Sequence, residues 1–243
     1  MIFRFLPVWL MALATLGAAA ATNTLSDAEV QGRALARQVI QQQWPATNLD
    51  QTGVLDIRIT REKRLELPIR IQVELTDSGW RQVYETSAPE HAARLVVIHN
   101  AGQPNRFELS QGTGAPKALT GSETMVPFAG SDFWVADLGL EFLHWPQQKL
   151  LKKVFRNGRA CSVLESTNPN PPPNGYSRVV SWIDTESGGI LQAEAYDDQG
   201  DLLKEYETKK FKKVNGQWQV DELEIDNDQA DTSTKLEFNL GKH

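Results

Sequence analysis

A mainly β fold built on one meandering antiparallel sheet is what this sequence predicts, and three observations carry the prediction. Apolar and polar residues alternate with a period of two in about 11–12 separate runs, the mark of half-buried strands. Between the runs lie Asp77-Ser78-Gly79, Asn157-Gly158, Ser187-Gly188-Gly189, Asp198-Gln199-Gly200 and Asn215-Gly216. Each supplies a residue that tolerates the positive φ of a tight hairpin turn. Only two stretches carry the 3.6-residue period of a helix.

Residues 1–21 read as a secretory signal. Arg4 is the only charge before Asp27, Phe5 to Leu16 is almost wholly apolar, and Ala19-Ala20-Ala21 offers the small-residue pattern of a cleavage site. The apolar stretch is shorter than the ~20 residues of a spanning helix. Residues 22–243 then form one domain, within the size that an all-β barrel fills. No cysteine lies near the cleavage site to take a lipid, which makes the mature chain a soluble protein; the single cysteine, Cys161, forms no intramolecular disulfide and reads as a buried small residue. The chain is acidic, with a net charge of −6, which argues against nucleic acid as a partner.

Ser26-Asp27-Ala28-Glu29 is a capping box that starts an amphipathic helix of about four turns. Ala28, Gly32, Leu35, Ala36 and Val39 share its apolar face, and Pro45 lies beyond its end. After Gly53 the period becomes two: Leu55, Ile57 and Ile59 alternate with polar residues, and so do Leu67, Ile69, Ile71, Val73 and Leu75. Further strands are expected over 80–85, 95–100, 107–109, 149–155, 160–165, 177–183, 190–196, 202–211, 217–225 and 235–238. The proline-rich run Asn168–Asn174 is an exposed linker.

A two-residue turn at Asn215-Gly216 sets Val214 opposite Gln217 and Phe211 opposite Val220, then Lys210 opposite Asp221 and Lys209 opposite Glu222. On this register the run Lys209, Lys210, Lys212, Lys213 is one side of a charge-matched hairpin, a reading favoured over a patch for anionic lipid or a partner. The apolar set changes from Trp218 and Val220 to Leu223 and Ile225, from even to odd positions, which calls for a β-bulge near Asp221. Residues 112–131, rich in Gly and Pro, form a long loop with room for one short strand. They feed a segment in which Trp134, Leu138, Phe142 and Trp145 recur at helical spacing until Pro146.

No constellation for catalysis stands out. His-Glu-x-x-His, Gly-x-Ser-x-Gly, Cys-x-x-Cys and phosphate-binding glycine motifs are absent, and His91, His99, His144 and His243 are scattered. Asp197, Gln199 and Asp201 mimic three ligands of a calcium loop whose remainder is missing. The acids from Asp221 to Asp231 read as a solvated strand face. No cofactor is implied, and the chain is not expected to be an enzyme.

The motifs Gly130-Ser-Asp-Phe-Trp-Val-Ala-Asp-Leu138 and Ile190-Leu-Gln-Ala-Glu-Ala-Tyr-Asp-Asp-Gln-Gly-Asp-Leu-Leu-Lys204, with His144-Trp145-Pro146, Cys161 to Glu165 and Trp182-Ile183-Asp184 between them, resemble the outer-membrane lipoprotein-sorting family, the LolA/LolB-like carriers, in its uncharacterised branch. The resemblance covers about the last half of the chain. It implies a single unclosed antiparallel β-barrel with an N-terminal amphipathic helix and a short helical lid, sheltering acyl chains in the periplasm for transport in outer-membrane biogenesis. The implied partners are a lipidated protein or another acyl-chain lipid and an inner-membrane exporter, with the carrier a monomer. The alternative is a periplasmic interaction protein that partners an envelope exporter without carrying lipid.

Candidate lipid contacts are Ile57, Ile59, Ile69, Ile71 and Val73 on inward strand faces, and Trp134, Leu138, Phe142 and Trp182. Trp182 would occupy a core under any function. The lid is expected to hinge on the glycine-rich loop and to be held by apolar contact alone. The mature protein should begin near Thr22, and intact mass should lack residues 1–21 in protein recovered from a soluble periplasmic fraction. Retention of those residues, or of the protein in carbonate-washed membranes, would contradict this reading.

Overall fold

The computed structural model describes residues 25–156, 158–214 and 217–240. The predicted signal segment, Asn157 and the Asn215-Gly216 turn lie outside the described residues. Helix α1 (Asp27–Gln42) begins at the capping box: Ser26 N–H donates to Glu29 Oε2 at 2.7 Å, and Glu29 N–H donates to Ser26 Oγ at 3.3 Å. Its buried residues, Gly32, Ala36 and Val39, are those of the expected face.

The strands are β1 (Leu49–Arg58), β2 (Arg64–Thr76), β3 (Gly79–Thr86), β4 (Ala93–Asn100), β5 (Arg106–Gln111), β6 (Lys117–Leu119), β7 (Gln147–Arg156), β8 (Arg159–Thr167), β9 (Arg178–Asp184), β10 (Ile190–Tyr196), β11 (Leu202–Val214), β12 (Gln217–Asn227) and β13 (Thr232–Phe238). β6 is the short strand for which the long loop has room. They form one 13-stranded antiparallel sheet in the order β6-β5-β4-β3-β2-β1-β13-β12-β11-β10-β9-β8-β7. The chain therefore enters at the middle of the sheet, meanders to one edge, crosses to the other edge and meanders back until β13 closes on β1. The edge strands β6 and β7 do not pair with each other, which is the unclosed barrel that the family resemblance implies.

The crossover, residues 120–146, is the consequential segment. It holds the short helix α2 (Val135–Leu138) and a 3₁₀ turn at Glu141–His144, separated by Leu140 at φ 47°. One continuous helical stripe through Trp145 is thus not formed. Gly139 sits so close to Phe107 that a Cβ there would lie 2.4 Å from the ring, and the helix breaks where the backbone makes this approach. The crossover is also deeper than a surface lid: Phe128 and Val135 are 0% exposed. Phe128, Phe133 and Val135 pack with Leu55, Leu67, Leu95, Val97 and Leu236 from strands of both halves of the sheet.

The β11–β12 ladder confirms the bulge and corrects the charge pairing. Val214 faces Gln217 and Phe211 faces Val220 as expected, but Lys210 faces Glu222 and Thr208 faces Leu223. Asp221 and Lys209 are therefore both skipped, one extra residue on each strand. This moves the inward face of β12 from Val220 to Leu223 and Ile225. Lys210 pairs with Glu222, while Lys209 reaches Glu207 at 2.6 Å and Glu224 at 3.1 Å. Past the bulge, Lys212 and Lys213 face Gln219 and Trp218, so only half of the lysine run is charge-matched.

Helix α1 lies against β7 and β8, and Gly32 permits the contact: a Cβ there would sit 2.5 Å from the Lys149 backbone nitrogen. Helix propensity alone would make Gly32→Ala stabilising by about 1 kcal/mol. The backbone clash reverses the sign, and Gly32→Ala should instead lose about 1–3 kcal/mol by thermal or urea unfolding. A rise in Tm would contradict this packing.

Candidate functional site

The concave side of the sheet encloses an apolar cavity of about 400 Å³. Ile71 and Val73 of β2, Trp80 and Tyr84 of β3, Ala193 and Ala195 of β10, Val220, Leu223 and Ile225 of β12, and Leu236 and Phe238 of β13 supply the sheet wall. The crossover supplies the opposite wall through Phe133, Leu138 and Phe142, and Gln43 and Pro45, just after α1, stand at its border. A second groove of about 550 Å³ continues from it between the C-terminal half of α1, the turn after β4, and Leu143 to Pro146. Trp80 and His99 border both spaces and stack on each other with ring centroids 3.7 Å apart. Burial lowers the His99 pKa to about 4, so this ring is a neutral, flat partition at pH 7.

The two motifs that carry the sequence resemblance meet at the cavity wall, where Asp137, Tyr176 and Lys204 also line the space. Lys204 is only 1% exposed. Its Nζ donates to the Asp132 carbonyl oxygen at 2.6 Å, lies 3.8 Å from Asp137 Oδ2, and sits 3.6 Å from the centroid of the Trp134 ring. Trp134 in turn stacks on Tyr176 at 4.6 Å, and the Tyr176 hydroxyl donates to Asp137 Oδ2 at 3.1 Å. The same Asp137 oxygen accepts the Trp134 N–H at 2.7 Å, capping α2. Asp132 is held by β13: Thr232 Oγ1 donates at 2.5 Å and Thr234 Oγ1 at 2.8 Å, and the Asp132 N–H donates to Thr234 Oγ1 at 2.9 Å.

On the other side, Tyr84 Oη donates to the Leu138 carbonyl at 3.1 Å and Asn105 Nδ2 to the Gly139 carbonyl at 2.8 Å. The expectation that apolar contact alone holds this segment is therefore corrected. A loop taken inside a fold must find internal partners for its backbone groups, and β3, β11, β13 and the residue before β5 provide them. Burial moves both members of the Lys204–Asp137 pair toward their neutral forms, Lys204 down to about 8 and Asp137 upward, while each opposes the other's shift as a countercharge. At neutral pH the lysine stays charged.

The candidate contact residues divide by position. Ile71, Val73, Leu138 and Phe142 line the cavity. Ile57 and Ile69 are buried in the core around it. Ile59, 37% exposed, lies beyond the end of β1 beside Arg61 and Asp231. Trp134 does not line the cavity but packs under Lys204, which does, and Trp182 is half-buried with the Arg156 guanidinium 5.0 Å from its ring. Sequence reasoning missed Tyr84, Phe133, Tyr206 and the lining from β10, β12 and β13. The bulge register was the available signal for Val220, Leu223 and Ile225. Among the described residues no group of three His, Cys, Asp or Glu is placed to hold a metal ion, and no helix is long and apolar enough to cross a membrane.

Removing one member of the buried pair should cost more than removing both. Lys204→Met leaves Asp137 uncompensated and should lose about 3–5 kcal/mol in urea unfolding, with part restored in Lys204→Met/Asp137→Asn. A double variant as unstable as the sum of the singles would contradict the coupling. Glu141, beside Asn105, is pushed up to about 7 by burial. The folded state then binds this proton more tightly than the unfolded state, so the group's contribution weakens as pH rises from about 4.5 to 7. Glu141→Gln should flatten that part of the stability profile, and an unchanged slope would contradict the shift.

Residues 83–240 match a family model described as "Uncharacterized protein". Among solved structures, the chain is similar to a domain assigned to outer membrane lipoprotein sorting from Vibrio parahaemolyticus, with TM-score 0.73, 19% identity, and coverage of 88% of this chain and 95% of that one. A DUF1329 family protein from Desulfovibrio piger superposes with TM-score 0.67 at 19% identity, over 90% and 96% of the two chains. A LolA superfamily protein from Nitrosomonas europaea gives 0.61 at 13% identity, over 86% and 91%. A search of curated proteins finds no match. At these identities the likeness is one of fold, and that fold is LolA-like.

Proposed function

We propose that this chain, which belongs to the family described as "Uncharacterized protein" whose model spans residues 83–240, is a non-enzymatic periplasmic carrier or acceptor. Its cargo is a lipidated protein or another acyl-chain lipid, delivered by an inner-membrane exporter to a mature domain of residues 22–243. The observation that carries this reading is the apolar cavity of about 400 Å³, left unfilled by the protein's own side chains. That size lies within the ~300–1,000 Å³ of small-molecule sites. Burying about ten methylenes at ~0.8 kcal/mol each gives ~8 kcal/mol, enough for micromolar binding without a polar anchor. The LolA-like fold supports the same reading. An interaction protein without cargo would have no use for the cavity.

Ile71, Val73, Leu138 and Phe142 are the proposed acyl-chain contacts, Ile57 and Ile69 support the wall behind them, and Trp134 holds the crossover. An environment-sensitive fatty-acid probe should bind with micromolar affinity and be displaced by phospholipid or lipoprotein. Leu223→Trp, which places bulk into the cavity, should weaken probe binding at least about tenfold while Tm changes little. A folded protein that does not bind the probe, or a Leu223→Trp variant that binds it unchanged, would overturn the carrier reading.

A further inference from the structure

The most exposed large apolar side chains of the described residues, Phe155 at 84% and Trp218 at 66%, stand at the tips of the β7–β8 and β11–β12 hairpins. Both tips lie at the end of the sheet where the cavity-lining Ile190, Val220 and Phe238 are only half-buried, whereas Ala195, Ile225 and Leu236 toward the other end are buried. Phe155 faces Ala160 across the first hairpin, and Trp218 is two residues before the cavity-lining Val220 on the same face of β12. The tips approach each other in space, since the Arg159 guanidinium lies 5.6 Å from the centroid of the Phe211 ring. Exposed Leu49 and Leu75 extend the same inward apolar face at this end of β1 and β2.

The charge around these aromatics is one-sided. Every charged residue between Glu141 and Glu165 other than a histidine is basic, as is every one between Glu207 and Asp221, in a chain whose net charge is −6. Some of these cations are consumed internally: Lys209 and Lys210 pair with glutamates and Arg159 pairs with Asp184. Lys152, Lys153 and Lys213 make no ion pair among the described residues. Lysines on β7 also guard a free sheet edge, but edge protection gives no reason for a phenylalanine left in water beside them.

We propose that these two hairpin tips dock the open end of the barrel on an anionic bilayer surface. Exposed aromatics suit the interface between headgroup and acyl chain, and clustered lysines are drawn to anionic headgroups. Either signal alone binds weakly and the two together bind stably. The acidic remainder of the chain is repelled by the same surface, which sets the orientation: the cavity mouth faces the membrane, so an acyl chain leaving or entering the bilayer meets the cavity without crossing water.

The test is co-sedimentation of the mature protein with large vesicles of phosphatidylethanolamine and phosphatidylglycerol, against phosphatidylcholine vesicles, at low and high salt. Binding is expected on the anionic vesicles and should fall at least about tenfold on neutral ones or in high salt. Phe155→Ser/Trp218→Ser and Lys152→Glu/Lys153→Glu/Lys213→Glu should each lose at least about tenfold in vesicle binding. Unchanged circular dichroism, Tm and fatty-acid probe binding in these variants would separate failure of docking from failure of the cavity. Wild-type protein that ignores anionic vesicles, variants that bind them as wild type does, or a rim that engages only a membrane protein in neutral nanodiscs would overturn the proposal.

Discussion

The structure depends on a buried lysine. Lys204 ties the crossover to the sheet through the Asp132 carbonyl, the Asp137 carboxylate and the face of Trp134, and topology is what makes this necessary. A chain that enters a single sheet at its centre and reaches one edge at β6 must travel to the opposite edge at β7 before it can return. Here it travels across the concave face, where water is excluded and every backbone amide and carbonyl needs a partner from the protein. Desolvating a charged pair is costly and is justified only where the geometry satisfies it fully; the lysine has a carbonyl, a carboxylate and two aromatic faces.

This constraint decides how the cavity is built. One wall is the sheet, the other is a segment fixed at both ends by polar contacts from β3, β11 and β13, and the space between them stays open because neither wall can collapse onto the other. A packed core with the same residues would bring Leu138 and Phe142 down on Ile71 and Val73. The bulge at Asp221 contributes at the rim, since without it Val220 and Leu223 could not both face inward. A carrier built this way would admit its cargo through the open end rather than by lifting the crossover.

Much of the architecture was legible in the residues. Period-two alternation located the strands, the capping box started α1 where expected, and the parity change between Val220 and Leu223 announced the bulge. The site was less legible. Alternation identifies a buried face but does not distinguish a core position such as Ile69 from a cavity position such as Ile71, because that depends on how far the crossover reaches along the sheet. Helical spacing of Trp134, Leu138, Phe142 and Trp145 suggested one stripe, yet close approach of Gly139 to Phe107 broke it. Lys204 reads as an ordinary strand lysine by composition; its place beside Tyr206 on the inward parity of β11 was the one signal of burial.

Native-state amide hydrogen exchange across Val135 to Leu138 tests the central claim most directly. If the buried lysine network makes the crossover a permanent wall, these amides should exchange as slowly as those of β1 and β13, with and without bound lipid. Fast exchange in the lipid-free protein that becomes slow on loading would show a mobile lid instead, and would contradict the account.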